Sequence, residues 1–119
     1  MLDLGNGTYA FYAHLLKGTL LVQTGDAVRK GDRIAQLGNT GNSNASHLHF
    51  HLMDGPSVLG SHGVPYVISG FDYAGQVPLD IFEAADDYLT GTFGQQRLPT
   101  PQPRTNELPL NLTVVNFPE

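Results

Sequence analysis

Three histidines at alternate positions, His47, His49 and His51, stand in the run Ser46-His47-Leu48-His49-Phe50-His51. The run reads as a β-strand, in which successive side chains point to opposite faces. The three imidazoles therefore share one side, while Leu48 and Phe50 share the other and are expected to be buried. Residues two apart on one face have Cα atoms roughly 6.6 Å apart, close enough for two imidazoles to converge on one metal or one substrate atom. A lone histidine is usually incidental; three in five positions point to a functional site. His14, in the segment Tyr12-Ala13-His14-Leu15, is a fourth candidate.

These histidines must be positioned by the elements around them. The polar stretch Gly38-Asn39-Thr40-Gly41-Asn42-Ser43-Asn44-Ala45-Ser46 is a glycine-punctuated loop. It lacks the Lys-Ser/Thr ending of a phosphate-binding loop and enters a strand, not a helix, which excludes a nucleotide site of that kind. A loop that delivers the chain into a histidine strand is well placed to wall a substrate cleft. Residues 9–15 read as an aromatic-rich strand. Residues 20–22, 33–37 and 48–53 read as short strands between Gly-Asp and Gly-Asn turns. Asp26 and Asp32 then belong to turns and are not catalytic acids.

The run G-N-T-G-N-S-N-A-S-H-L-H-F-H resembles the C-terminal signature of the lysostaphin/LytM-type zinc endopeptidases, which cut peptide cross-links in bacterial cell walls. Upstream, residues 5–15 are similar to that family's G-N-G-x-x-x-x-Y-x-H-L segment. Residues 22–37 resemble its V-x-x-G-D-x-V-x-x-G-x-x-I-x-x-x-G stretch. The likeness covers residues 2–54. It implies an all-β fold, an antiparallel sheet/barrel-sandwich hybrid with a substrate groove over the sheet. It also implies that His49 is a zinc ligand, and that His47 and His14 are catalytic histidines beside the metal. Zinc held by three protein ligands with an open fourth position brings a bound water's pKa toward 7. Imidazoles, with an unperturbed pKa of about 6.5, can orient that water and stabilise charge.

The departure from the family pattern is informative. Its other two zinc ligands come from an H-x-x-x-D motif upstream of the Y-x-H-L segment. The thirteen residues before His14 hold no histidine and one acid, Asp3. His51 shares the face of His49 but should point past a site centred on it, and His62, in Ser61-His62-Gly63, reads as a loop residue. The expectation is therefore a fragment whose metal site is incomplete, since a long-inactive domain has no chemical reason to keep His14, His47 and His49. A degenerate, non-catalytic wall-binding or amidase-regulating module is the alternative. A phosphoryl carrier of related β-architecture is a further one, disfavoured because a phosphohistidine site needs no second imidazole at i+2.

Composition narrows the classes. The chain has 119 residues, enough for one domain with a modest core. Six Lys+Arg against eleven Asp+Glu give a net charge of -5, with no basic cluster, which argues against nucleic acid as partner. No apolar run approaches the roughly 18 residues of a membrane span, and no signal-peptide pattern opens the chain. The absence of cysteine excludes disulfides and thiolate metal sites. An extracytoplasmic location and a peptidoglycan peptide partner follow from the resemblance alone. The paired segments 24–28 and 30–34 also occur in biotinyl and lipoyl carrier domains, but no Met-Lys-Met attachment site follows.

After Asp54 the character changes. Residues 66–68 and 70–73 suggest further strand. Residues 80–89 read as a short helix with Asp80 as N-cap. Residues 1–94 are expected to form the partial peptidase-like domain. Residues 95–107, with Pro99, Pro101 and Pro103, are expected to be an exposed Pro-rich linker, and residues 108–119 a terminal strand and tail.

Overall fold

The computed structural model of the protein describes residues 1–40, 47–83 and 95–118. They fall into two compact units, Met1–Pro65 and Tyr66–Glu119. The all-β expectation is met: both sheets are antiparallel, and among the described residues the helical part is one short segment.

In the first unit, strands β1 (Leu2–Asp3), β2 (Tyr9–Ala13), β3 (His49–Met53) and β4 (Gly63–Val64) form one sheet in that order. The register of β2 and β3 sets Phe11 opposite His51, Tyr12 opposite Phe50 and Ala13 opposite His49. One face of this pair thus carries Phe11, His49 and His51. On the other, Tyr12 stacks edge-on against Phe50 with ring centroids 5.0 Å apart. Burial follows position along β3 as well as parity, rising from an exposed His49 to Met53 at 2 % exposure. Leu48, expected to be buried, is 38 % exposed. The strand is anchored by Met53 and by Ala10 of β2, also 2 % exposed, at the end remote from His49.

Residues 20–22 and 33–37, expected as strands, form no continuous ladder. They approach each other through scattered backbone bonds: Leu21 N–H donates to the Ile34 carbonyl (2.9 Å) and Leu16 N–H to that of Gln36 (2.8 Å). A single bridge joins Leu15 and Leu37. The intervening turns are closed by their acids, as expected of turn residues. The Asp26 carboxylate accepts from Gln23 N–H at 2.9 Å, and that of Asp32 accepts from Arg29 N–H at 2.8 Å.

In the second unit β5 (Ile68–Gln76) is the central strand of three, flanked by β6 (Gln96–Glu107) and β7 (Thr113–Asn116). Its Phe71 and Ala74 are buried. The segment expected to be a Pro-rich linker is therefore a strand, twelve residues long. Proline is tolerated there because β6 lies at the sheet edge and because Pro99 and Pro101 fall where its ladder with β5 shifts register, between Gln102 and Arg97. Helix α1 spans Leu79–Glu83 and places Asp80 in its first turn, not at the cap. The remainder of the expected helix lies outside the described residues. No helix among the described residues is long and apolar enough to cross a membrane.

Candidate functional site

The site is built where β2 ends. Ala13 is the last residue of the strand, and His14 follows with φ of 64°, a left-handed conformation uncommon outside glycine. Holding a non-glycine residue there costs of order 1–3 kcal/mol. Residues 36–40 supply what holds it. Gly38 N–H donates to the His14 carbonyl at 2.8 Å. The Thr40 hydroxyl donates to the Leu15 carbonyl at 2.8 Å, and the Thr40 carbonyl lies 2.7 Å from His14 Nδ1. A carbonyl can only accept, so Nδ1 carries the proton in the neutral ring and Nε2 is left with the lone pair. The approach is close enough to require glycine at 38: a Cβ there would lie 2.5 Å from the Leu16 Cα.

The kink swings the His14 ring onto the histidines of the neighbouring strand. Its centroid lies 4.7 Å from that of His47 and 5.6 Å from that of His49. All three candidate residues named from the sequence are thus gathered, although 33 positions separate His14 from His47 along the chain. Antiparallel pairing of β2 with β3 is the reason, because it sets the end of one strand beside the start of the other.

The structure also adds to the cluster. His51 does not point past His49: its Nδ1 lies 3.1 Å from His49 Nε2. Phe11 packs against both rings, with centroids 5.9 Å from His49 and 5.1 Å from His51. Alternation alone indicated the shared face of His51. The contribution of Phe11 depends on the β2–β3 register, and that of the Thr40 carbonyl on the return of a distant loop, neither of which has a local signal. His62 stands apart, paired with Asp54 at 3.4 Å. Its N–H donates to the Asp54 carboxylate at 2.7 Å, and this bond, aided by the ring's charge, holds the Asp54 carboxyl below its ordinary range against opposing desolvation.

Partial burial, and then the neighbouring His51, His14 and His47, lower the proton affinity of His49 below the ordinary imidazole value. His49 is accordingly a neutral nitrogen donor at neutral pH, the form that binds metal. It does not make a metal centre by itself. Among the described residues no three His, Cys, Asp or Glu side chains are arranged to hold a metal ion. The arrangement present is one of imidazoles able to orient a polar substrate and exchange protons with it.

Comparison with known proteins places the histidine-bearing part of the chain in a family. A Haemophilus influenzae protein named an uncharacterized metalloprotease is 48 % identical over 52 residues, which cover 44 % of this chain and 10 % of that protein. The chain thus spans about a tenth of the length of that curated relative. No solved structure matches the chain at a significant level. A family model described as Peptidase family M23 matches residues 1–60, half of the sequence and the whole of the histidine-bearing sheet up to β4, and the chain belongs to that family.

Proposed function

We propose that this chain supplies the histidine half of the active site of a zinc metallopeptidase that acts on bacterial cell-wall peptides outside the cytoplasm. Family membership implies a metal cofactor and a peptide substrate. The observation that carries the reading is the convergence of His14 with His47 and His49 at the junction of β2 and β3. In this reading His49 is a metal ligand that needs further donors, since the described residues hold no three-donor set. When bound, zinc supplies Lewis-acid activation of water and carbonyl.

The chain's own contribution is proton handling and orientation. His14, pinned through Nδ1 to the Thr40 carbonyl, presents Nε2 in one direction. It can take up a proton there and release it without rotating. His47, beside it, is placed to hydrogen-bond the substrate's developing oxyanion or its leaving amine.

The test is a longer protein in which a family-type segment bearing H-x-x-x-D precedes this sequence. It should bind zinc and hydrolyse short wall peptides containing glycine or diaminopimelate. There His49→Ala should abolish both metal binding and activity, while His47→Ala should keep the metal and lose roughly 10²–10⁴-fold in rate. Full zinc occupancy without cleavage, or full activity in His47→Ala, would overturn the enzyme reading. The alternative reading is a module that binds wall peptides without cutting them. It predicts that the longer protein retains wall peptides and leaves them intact.

A further inference from the structure

The 3.1 Å contact between His49 Nε2 and His51 Nδ1 constrains more than distance. Two neutral imidazoles sharing one hydrogen bond have only two arrangements. In the first, His49 Nε2–H donates, so the accepting His51 Nδ1 is bare and His51 carries its proton on Nε2. In the second, His51 Nδ1–H donates, so His49 must carry its proton on Nδ1. Either both rings are Nε2–H tautomers or both are Nδ1–H tautomers. A free histidine side chain in water favours the Nε2–H form, so the first arrangement places both rings in their preferred state and the second places neither.

We propose that His51 is a positioning residue for His49, accepting a hydrogen bond from His49 Nε2–H so that His49 is held as a single tautomer with its lone pair on Nδ1. The ring planes are set independently of the bond. Phe11 lies edge-on to His49 and tilted against His51, and the register opposite Phe11 and Ala13 fixes both backbones. A 180° flip of either ring would keep this stacking but lose the hydrogen bond. A metal-binding imidazole is commonly oriented by a partner on its other nitrogen, usually a carboxylate, a carbonyl or water. Here the i+2 residue of the same strand face fills that place. The catalytic consequence rests on the proposed role of His49, whereas the tautomer lock belongs to the chain as it stands.

The experiment is a long-range ¹H–¹⁵N correlation of the ring nitrogens in the labelled, metal-free 119-residue protein at neutral pH. His49 and His51 should each show a protonated Nε2 and a bare Nδ1. In His51→Leu the His49 nitrogens should move to values averaged over both tautomers. In His51→Asn, whose Oδ1 can stand near the lost Nδ1, the single-tautomer pattern should return. A His49 found as the Nδ1–H form, or a His49 pattern unchanged in a folded His51→Leu, would overturn the proposal. Should the leucine variant fail to fold, the wild-type pattern and His51→Asn decide it. In the longer, metal-competent protein His51→Leu should lower metal affinity roughly 10–100-fold and His51→Asn should restore most of it; equal affinity in the leucine variant would show that the bond orients nothing of use to the metal. If the lock is present but the longer protein cuts no peptide, the peptidase reading fails and the positioning role stands. If it cuts peptides with His49 indifferent to position 51, the reverse holds.

Discussion

Strands β3 and β6 both repeat one residue type with a period of two, and they put the repeat to opposite uses. In β3 the repeat is imidazole, His49 and His51, with His47 just ahead of the strand. In β6 it is the pyrrolidine ring of Pro99, Pro101 and Pro103. β3 pairs with β2 along its whole length and with β4 only at Leu52 and Met53, so His49 and His51 stand on a stretch paired with β2 alone. Their imidazoles lie together on one face. β6 is an edge strand paired only with β5. Pro103 lies opposite Asp72, whereas Pro99 and Pro101 fall between Gln102 and Arg97, where the ladder with β5 is interrupted by a shift of register; each proline takes one backbone donor from the edge strand. Alternation in β3 gathers imidazoles on one face, whereas proline on the edge strand β6 removes backbone donors.

Removing the anchor of β3 should have the largest effect. Met53 is the largest fully buried side chain, and Met53→Ala should cost about 2–5 kcal/mol, read as a drop in the denaturant midpoint. The His14–His47 ring contact should weaken with it, seen as altered imidazole shifts. A stable variant with unchanged histidine signals would show that the cluster does not depend on the buried end of its strand.

Next come two glycine substitutions that probe close approaches in the two sheets. A Cβ at Gly38 would collide with Leu16, and one at Gly75, where φ is 146°, would collide with the Gln96 carbonyl opposite it. Each Gly→Ala change should cost about 1–3 kcal/mol. Their local signatures differ. Gly38→Ala should release the His14 carbonyl and be read in the His14 ring, whereas Gly75→Ala should speed amide exchange along β5 and β6.

Replacing Pro99, Pro101 and Pro103 together with threonine should change stability by no more than roughly 1 kcal/mol, the span of strand preferences. It should raise self-association measurably in sedimentation, because the edge regains donors. A strictly monomeric, equally soluble triple variant would remove the protective role assigned to the prolines.

The smallest effect is a pH dependence at the Asp54–His62 closure. The folded-state pKa of Asp54 is depressed, first by the His62 N–H bond and then by the ring's charge. Its contribution is therefore fully present above the ordinary carboxylate range and is lost as pH falls through the depressed value. Exchange protection of the His62 amide should hold at neutral pH and fall only under acid conditions, and Asp54→Asn should abolish that dependence.

Much of the site could be read locally. The parity of His47, His49 and His51 follows from strand geometry, and the motif spacing of His14 identified its partner segment. The all-β class was what the family resemblance implied, in keeping with short apolar runs between Gly, Asp and Asn turns. Other features could not be read this way. The segment 95–107 has the composition of a linker because proline opposes strand formation at every position except an edge, and which strands lie at an edge is a property of the whole sheet. Residues 20–22 and 33–37 have strand composition yet pair only at scattered points, since pairing requires a partner in register over several residues.

The sequence by itself determined which groups are present: four of its five histidines in two segments, three of them alternating, and a turn-rich chain without cysteine or a basic cluster. Only the tertiary structure decided how they are used. It placed His14 in a left-handed kink held by Gly38 and Thr40, brought it beside His47 across 33 positions, and turned His51 from a bystander into the partner of His49. The physical reason is that side-chain parity is set by the local backbone, whereas hydrogen-bond partners and ring orientation are set by strand register and by loops that return from far along the chain.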